Sequence, residues 1–283
     1  MSKIAVVTDS TTYLPPELVK QYNITIAPQV LIWDDQTYKD GVDITSEQFF
    51  TRLKTTKVMP TTSQVAVLSF QEIFQDLVNK DFEVLALLVS SKLSGTNQSA
   101  AQAKELMGSA GEKVHIVDSQ SVAMALGFQA LAVARALEGG ASLKEAIALA
   151  EKSHAYTGVF FAVDTLEFLH RGGRIGGAQR FIGSVLNMKP ILAIQDGRVE
   201  GVERIRTKSK AHDRVLELVV EKTKGKSPIR LATLHANAAE DAKALLARAQ
   251  QLNPIESIFT EVSPTVGTHA GPGTVGLAFM AGL

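Results

Sequence analysis

The chain has 283 residues, 45% of them hydrophobic, which is more than one average domain and enough to bury a core without covalent staples. Basic and acidic residues balance at 29 each and there is no cysteine, which excludes a disulfide framework, a thiolate nucleophile and a cysteine zinc site, and argues against broad nucleic-acid binding. The opening "MSKIAVVTDST" has too short an apolar run for a secretory signal, and "VLALLV" is far short of a membrane span, so the expectation is a cytoplasmic protein without stable membrane insertion.

In chain order, "KIAVVT" (Lys3–Thr8) reads as a strand, and Pro15 and Pro16 suit the first turn of a helix. "ITIAPQVLIW" is extended, and "TSEQFFTRL" opens with a capping box from Thr45 to Gln48. "SFQEIFQDLVNK" is an amphipathic helix. "EVLALLVS" is a continuous apolar strand, of the kind a parallel sheet covers on both faces. A helical "NQSAAQAKELM" follows, then the strand "KVHIVD", a helix through Leu137, and another from Ser142, where Glu145 completes a second capping box. Beyond Tyr156, "TGVFFAVDTL" is a strand and "EFLHRGGRIGGAQRFIG" is glycine-rich and basic. "PILAIQ", the turn Asp196-Gly197 and "RVEGVERIR" form an antiparallel hairpin. A helix (Lys210–Thr223), a strand (Ile229–His235), a helix (Ala239–Gln251) and a strand (Ile255–Glu261) complete the series. The expectation is an α/β protein of two α/β domains. Residues 1–155 build a mostly parallel sheet with helices on both faces, and residues 156–283 a mixed sheet with helices.

Four clusters could carry chemistry. "SSKLSGT" crowds hydroxyls around Gly95 between a strand and a helix start, where a parallel sheet binds ligands and a helix N-terminus favours an anion. The bland alternative is that Ser94 only caps the helix. A nucleophilic serine would need G-x-S-x-G, but Lys92 and Thr96 occupy the glycine positions. "PTTSQ" (Pro60–Gln64) offers three more hydroxyls before a helix and could converge on the same anion, or simply cap. "GTHAGPGTVG" matches G-x-G-x-x-G at residues 271–276, but no βαβ unit can follow, so its signal is His269, either a ligand contact or a structural loop histidine. The basic cluster holds Arg171 and Arg174 in "RGGR", then Arg204, Arg206, Lys208, Lys210 and Arg214, and reads as a solvated face or a docking patch for an acidic or phosphate-bearing partner. The remaining histidines, 115, 154, 170, 212 and 235, have no metal-ligand spacing. Asp9 and Asp118, each ending a strand before Ser, are read as satisfying turn backbone.

Taken together, "VVTDSTTYLP", "PTTSQ", "SSKLSGT", "IVDSQSVAMALG", "LEFLHRGGRIG" and "GTHAGPGTVG" resemble the DegV family, motif for motif and in family order. The resemblance implies a long-chain fatty acid held between two α/β domains, with no cofactor and no catalysis by this chain. It also implies a partner, the separate kinase subunit of a bacterial fatty acid kinase, which phosphorylates the presented carboxylate with ATP. By the same resemblance Thr62, Ser94 and His269 hold the carboxylate, and Ser63, Gly95 and Thr96 are further head-group candidates. Arg171 and Arg204 or Arg206 would face the kinase. After "TSQ" the family often carries Pro-Ser, where this sequence has Val65-Ala66. Candidate tail-lining residues are Phe160, Phe161, Phe181, Ile182 and Phe279. The rival readings are a serine-dependent acyl hydrolase, a phosphotransferase acting alone, and a lipid sensor or store that meets no kinase.

Overall fold

The structure, a computed structural model, describes residues 3–183 and 188–283. The first half runs β1 (Lys3–Asp9), α1 (Pro16–Gln21), β2 (Thr25–Ala27), β3 (Val30–Trp33), β4 (Gln36–Lys39), α2 (Ser46–Leu53), β5 (Thr61–Ser63), α3 (Val67–Asn79), β6 (Phe82–Leu88), α4 (Thr96–Leu106), β7 (Val114–Asp118), α5 (Ala123–Glu138) and α6 (Leu143–Ser153). The second half runs β8 (Thr157–Ala162), α7 (Glu167–Arg171), β9 (Lys189–Gln195), β10 (Arg198–Ile205), α8 (Lys208–Thr223), β11 (Ile229–His235), α9 (Ala239–Ala249), β12 (Glu256–Glu261), α10 (Pro264–Ala270) and β13 (Val275–Ala281).

The apolar runs of β1 and β6 pair in parallel at the centre of a four-stranded sheet of order β2-β1-β6-β7. One face packs Val84, Ala86 and Leu88 against Phe70 and Phe74 of α3. The other face turns Leu85 and Leu87 toward α5. The second sheet is six-stranded and mixed, of order β10-β9-β8-β13-β11-β12, with only β11 and β12 parallel. Its outer face buries Ile191, Leu231 and Leu277 against Val215 and Val219 of α8 and Leu245 of α9. Its inner face, including Val159, Phe161 and Leu234, joins the same cluster as Met124, Leu126 and Phe128 of α5. A helix apolar on nearly every side is a helix buried on every side. The stretch "AMALGFQALAVARALE" is that case, and it fills the space between the sheets. At its far end Arg135 donates to both carboxylate oxygens of Glu256, at 2.9 and 2.6 Å, and ties the helix to the edge of the second sheet. The connection near Tyr156 separates the strands of the two sheets, while α5, upstream of it, packs on both.

Three features were not read from the sequence. The extended "ITIAPQVLIW" splits, so that β2 joins the parallel sheet while β3 leaves it to form a small antiparallel sheet β4-β3-β5. "PTTSQ" is therefore not a helix start: Thr62 sits opposite Leu31 in strand pairing, and α3 begins at Val67 with Ala66 at its cap position and no side-chain cap bond. "SPTVGTHA" is a helix, with Ser263 accepting from the Val266 N–H and Pro264 at the first position, so His269 is helical rather than in a loop. After it, β13 inserts between β8 and β11 in the middle of the second sheet. The Asp196-Gly197 hairpin forms as read, with φ of 48° and 77° matching a two-residue turn that needs both angles positive.

Candidate functional site

The hydroxyls of "SSKLSGT" divide into different tasks. Ser90 Oγ donates to Gly197 O at 2.7 Å, holding the β9–β10 turn against the end of β6, and Lys92 Nζ donates to Asp196 O at 2.7 Å. Ser91 Oγ donates to Asp118 at 2.6 Å. Thr96 is fully buried behind Ser94, bonded to Gln29 and to Ser94 Oγ. Gly95 is the cap residue of α4 and packs against the Gln64 side chain. Only Ser94 of this group turns to the space between the two sheets. Asp9 accepts from Thr11 N, Thr11 Oγ1 and Val89 N, and Asp118 accepts from Ser91 and Gln120, so both serve turn backbone.

The space is a cavity partly open to solvent, walled mostly by apolar side chains with a few polar groups, as small-molecule sites are. Leu93 and Val122 from the first half and Val159, Phe161, Ile194 and Val266 from the second make its walls apolar. Of the five tail candidates only Phe161 lines it. Successive strand residues point to opposite faces, so Phe160 goes to the outer core, stacked on Phe279 with centroids 6.4 Å apart. Phe181 lies under Arg204, 5.2 Å from ring centroid to guanidinium, and Ile182 is 47% exposed.

Polar groups gather where Thr62, Ser63, Ser94, Arg174 and His269 line the wall. Thr62 Oγ1 and His269 Nε2 are hydrogen-bonded at 2.7 Å, across 207 positions of sequence. Burial, and then the Arg174 charge, pull the His269 imidazole down to about 4, so the ring is neutral at neutral pH. Its Nδ1 is buried without a partner. Directly beneath it runs the backbone of Gly172, where any Cβ would overlap Nδ1. The first glycine of "RGGR" is thus set by the close approach of a helix-borne ring.

Arg174 is the residue that sequence reasoning misplaced. Grouped with the surface arginines, it in fact turns inward. Its Nε donates to Leu93 O at 3.0 Å and its Nη1 to Gly172 O at 2.7 Å, which bridges the Ser94 loop of the first half to the "RGGR" loop of the second. It is half-buried, its pKa is lowered by that burial, and no acidic side chain pairs with it among the described residues. The two glycines beside it, which let backbone pack closely, were the available signal. The rest of the basic cluster is outside the cavity lining: Arg171 pairs with Glu167, Lys208 with Asp241, and Arg214 with Glu203, Glu217 and Glu221, while Arg204 and Arg206 are exposed. Among the described residues no three metal-ligating side chains converge, and no helix is long and apolar enough to cross a membrane.

An apolar chamber with a cation, a neutral imidazole and two hydroxyls at one place suits an amphipathic anion. Comparisons with known proteins agree with that chemistry. A DegV domain-containing protein of Streptomyces coelicolor is 36% identical over 277 residues, covering 97% of each chain. A structure described as fatty acid binding of a DegV family protein from Thermus thermophilus superposes with a TM-score of 0.92 at 34% identity, over 99% of each chain. A stearic acid-binding protein from Eubacterium ventriosum superposes with a TM-score of 0.91 at 25% identity, covering 99% of this chain and 98% of that one. The family model described as "Uncharacterised protein, DegV family" matches residues 3–282, and the chain belongs to the DegV family.

Proposed function

We propose that the protein binds one long-chain fatty acid between its two sheets and presents the carboxylate to a separate kinase subunit, in the cytoplasm and without catalysis of its own. The observation that carries the reading is the apolar cavity ending on Thr62, Ser94, neutral His269 and an Arg174 that lacks an acid partner. Burial at ~0.8 kcal/mol per CH₂ gives a long tail a gross contribution on the order of 10 kcal/mol. A charge-assisted hydrogen bond adds ~1.5–3 kcal/mol, so the tail supplies affinity and the clamp fixes which end faces the opening.

The hydrolase reading is less well supported. His269 is bonded to Thr62, and the hydroxyl bonded to Ser94 is that of Thr96. A histidine held at about 4 is a poor general base at neutral pH. The sequence also has no phosphate loop for a phosphotransferase acting alone.

The test is reconstitution. With ATP, magnesium and hexadecanoate the protein alone yields no acyl phosphate, and a cognate kinase subunit starts the reaction. Reversing the exposed Arg171 and Arg204 to glutamate slows that turnover several-fold and makes it less salt-dependent, because rim charges mainly set association rate. Acyl phosphate from the isolated protein would overturn the carrier reading, and unchanged turnover in the reversed variant would remove this docking surface.

A further inference from the structure

A second polar group lines the same cavity and is left unused by the carboxylate clamp. Tyr13 Oη is buried without a hydrogen-bond partner, Thr265 turns its hydroxyl toward the Asp40 carboxylate, and both residues line the cavity wall. Buried hydroxyls are nearly always satisfied, so the orphaned Tyr13 hydroxyl in this chamber calls for a ligand or water that satisfies it. Both sit beside Asp40, whose Oδ1 accepts from Thr265 N at 3.1 Å and whose Oδ2 accepts from Ser10 Oγ at 2.6 Å. Three residues after Ser10, Tyr13 adopts a left-handed conformation (φ 51°), and burial together with the charges of Asp40 and Asp9 raises its phenol well above the ordinary range.

The charge near this group decides what it can take. Burial raises Asp40 only to about 6, so at neutral pH it is mostly ionised and repels a carboxylate. A neutral group that both donates and accepts fits there. Its position is set by α10: Thr265 and His269 are four residues apart, on one face, about 6 Å along the axis.

We propose that Tyr13 and Thr265 form a second polar station, one helical turn from the Thr62–His269 pair, that receives a hydroxyl carried near the carboxylate of the acyl chain, as in a 3-hydroxy fatty acid. This rests on the fatty-acid reading above and narrows its ligand class. A station built to hydrogen-bond a hydroxyl discriminates against the ligand that lacks it, because the Tyr13 hydroxyl is then left unpaired.

Calorimetric titration of delipidated protein with 3-hydroxyhexadecanoate and hexadecanoate tests it, with 12-hydroxyoctadecanoate and octadecanoate as the distal control. The expected ratio favours the 3-hydroxy acid about tenfold. That ratio falls toward one in Tyr13→Phe and in Thr265→Val, both near-isosteric, and the 12-hydroxy acid gains nothing. Because the readout is a ratio within each variant, a general loss of affinity does not mimic the effect. Equal affinities in the unmodified protein, or a preference that survives both substitutions, would overturn the station while leaving the fatty-acid reading standing. Failure to bind any of the four acids would overturn both.

Discussion

Arg174→Glu is expected to lower fatty-acid affinity more than a hundredfold. The guanidinium is half-buried at the cavity wall, and its bound partners are two backbone carbonyls, those of Leu93 and Gly172. Carbonyls leave a guanidinium's charge uncompensated, and its pKa shift comes from desolvation without an acid to offset it. A fatty-acid carboxylate supplies the missing charge. Removing a hydrogen bond to a charged group costs ~1.5–3 kcal/mol, and a glutamate in its place adds repulsion, so a total above ~3 kcal/mol is expected. Arg174→Met, which keeps the aliphatic stem and removes the charge, should lose about tenfold. The fatty alcohol of the same length should be far less sensitive to both changes. Calorimetry of acid and alcohol beside thermal melts checks this. If acid and alcohol lose affinity equally, Arg174 ties the two loops together and does not face the head group.

The second large effect comes from two adjacent glycines that look equivalent in "RGGR". Gly172 has φ of −76°, which any residue adopts, but its Cβ would overlap His269 Nδ1. Gly173 has φ of +70° and open space around it. Gly172→Ala should therefore push the imidazole off Thr62, cost ~1–3 kcal/mol of stability by overpacking, and reduce fatty-acid binding at least tenfold. Gly173→Ala should cost ~1–2 kcal/mol through its left-handed backbone and leave binding close to normal. Urea midpoints and lipid titration of the pair separate the two causes. Comparable binding by both variants would mean that His269 tolerates displacement.

The periodic parts of this fold were legible because the physics is local. The apolar runs of β1 and β6, the capping boxes at Thr45 and Ser142 and the Asp196-Gly197 turn depend on a few neighbouring residues, and each forms as read. What stayed hidden depends on distant partners. Ser90, Ser91 and Ser94 are alike in sequence, and only Gly197, Asp118 and the cavity assign them separate roles. Phe160 and Phe161 differ only by strand register. Two elements were missed despite usable signals: Ser263-Pro264 marks the start of α10, and "VGLAFMA" is a continuous apolar run whose glycine-rich lead-in obscured a central strand. The family resemblance named Thr62, Ser94 and His269, and all three line one cavity, but Arg174 emerged only when the "RGGR" loop was seen to fold inward.

The central claim is that this cavity holds one fatty acid, carboxylate toward Arg174 and His269. Native mass spectrometry of protein purified from cells, followed by organic extraction of the same sample, tests it most directly. The account predicts a mass excess equal to a single fatty acid per chain, recovered intact on extraction and absent from Arg174→Glu. A bare chain mass, with no uptake of added hexadecanoate, would contradict it.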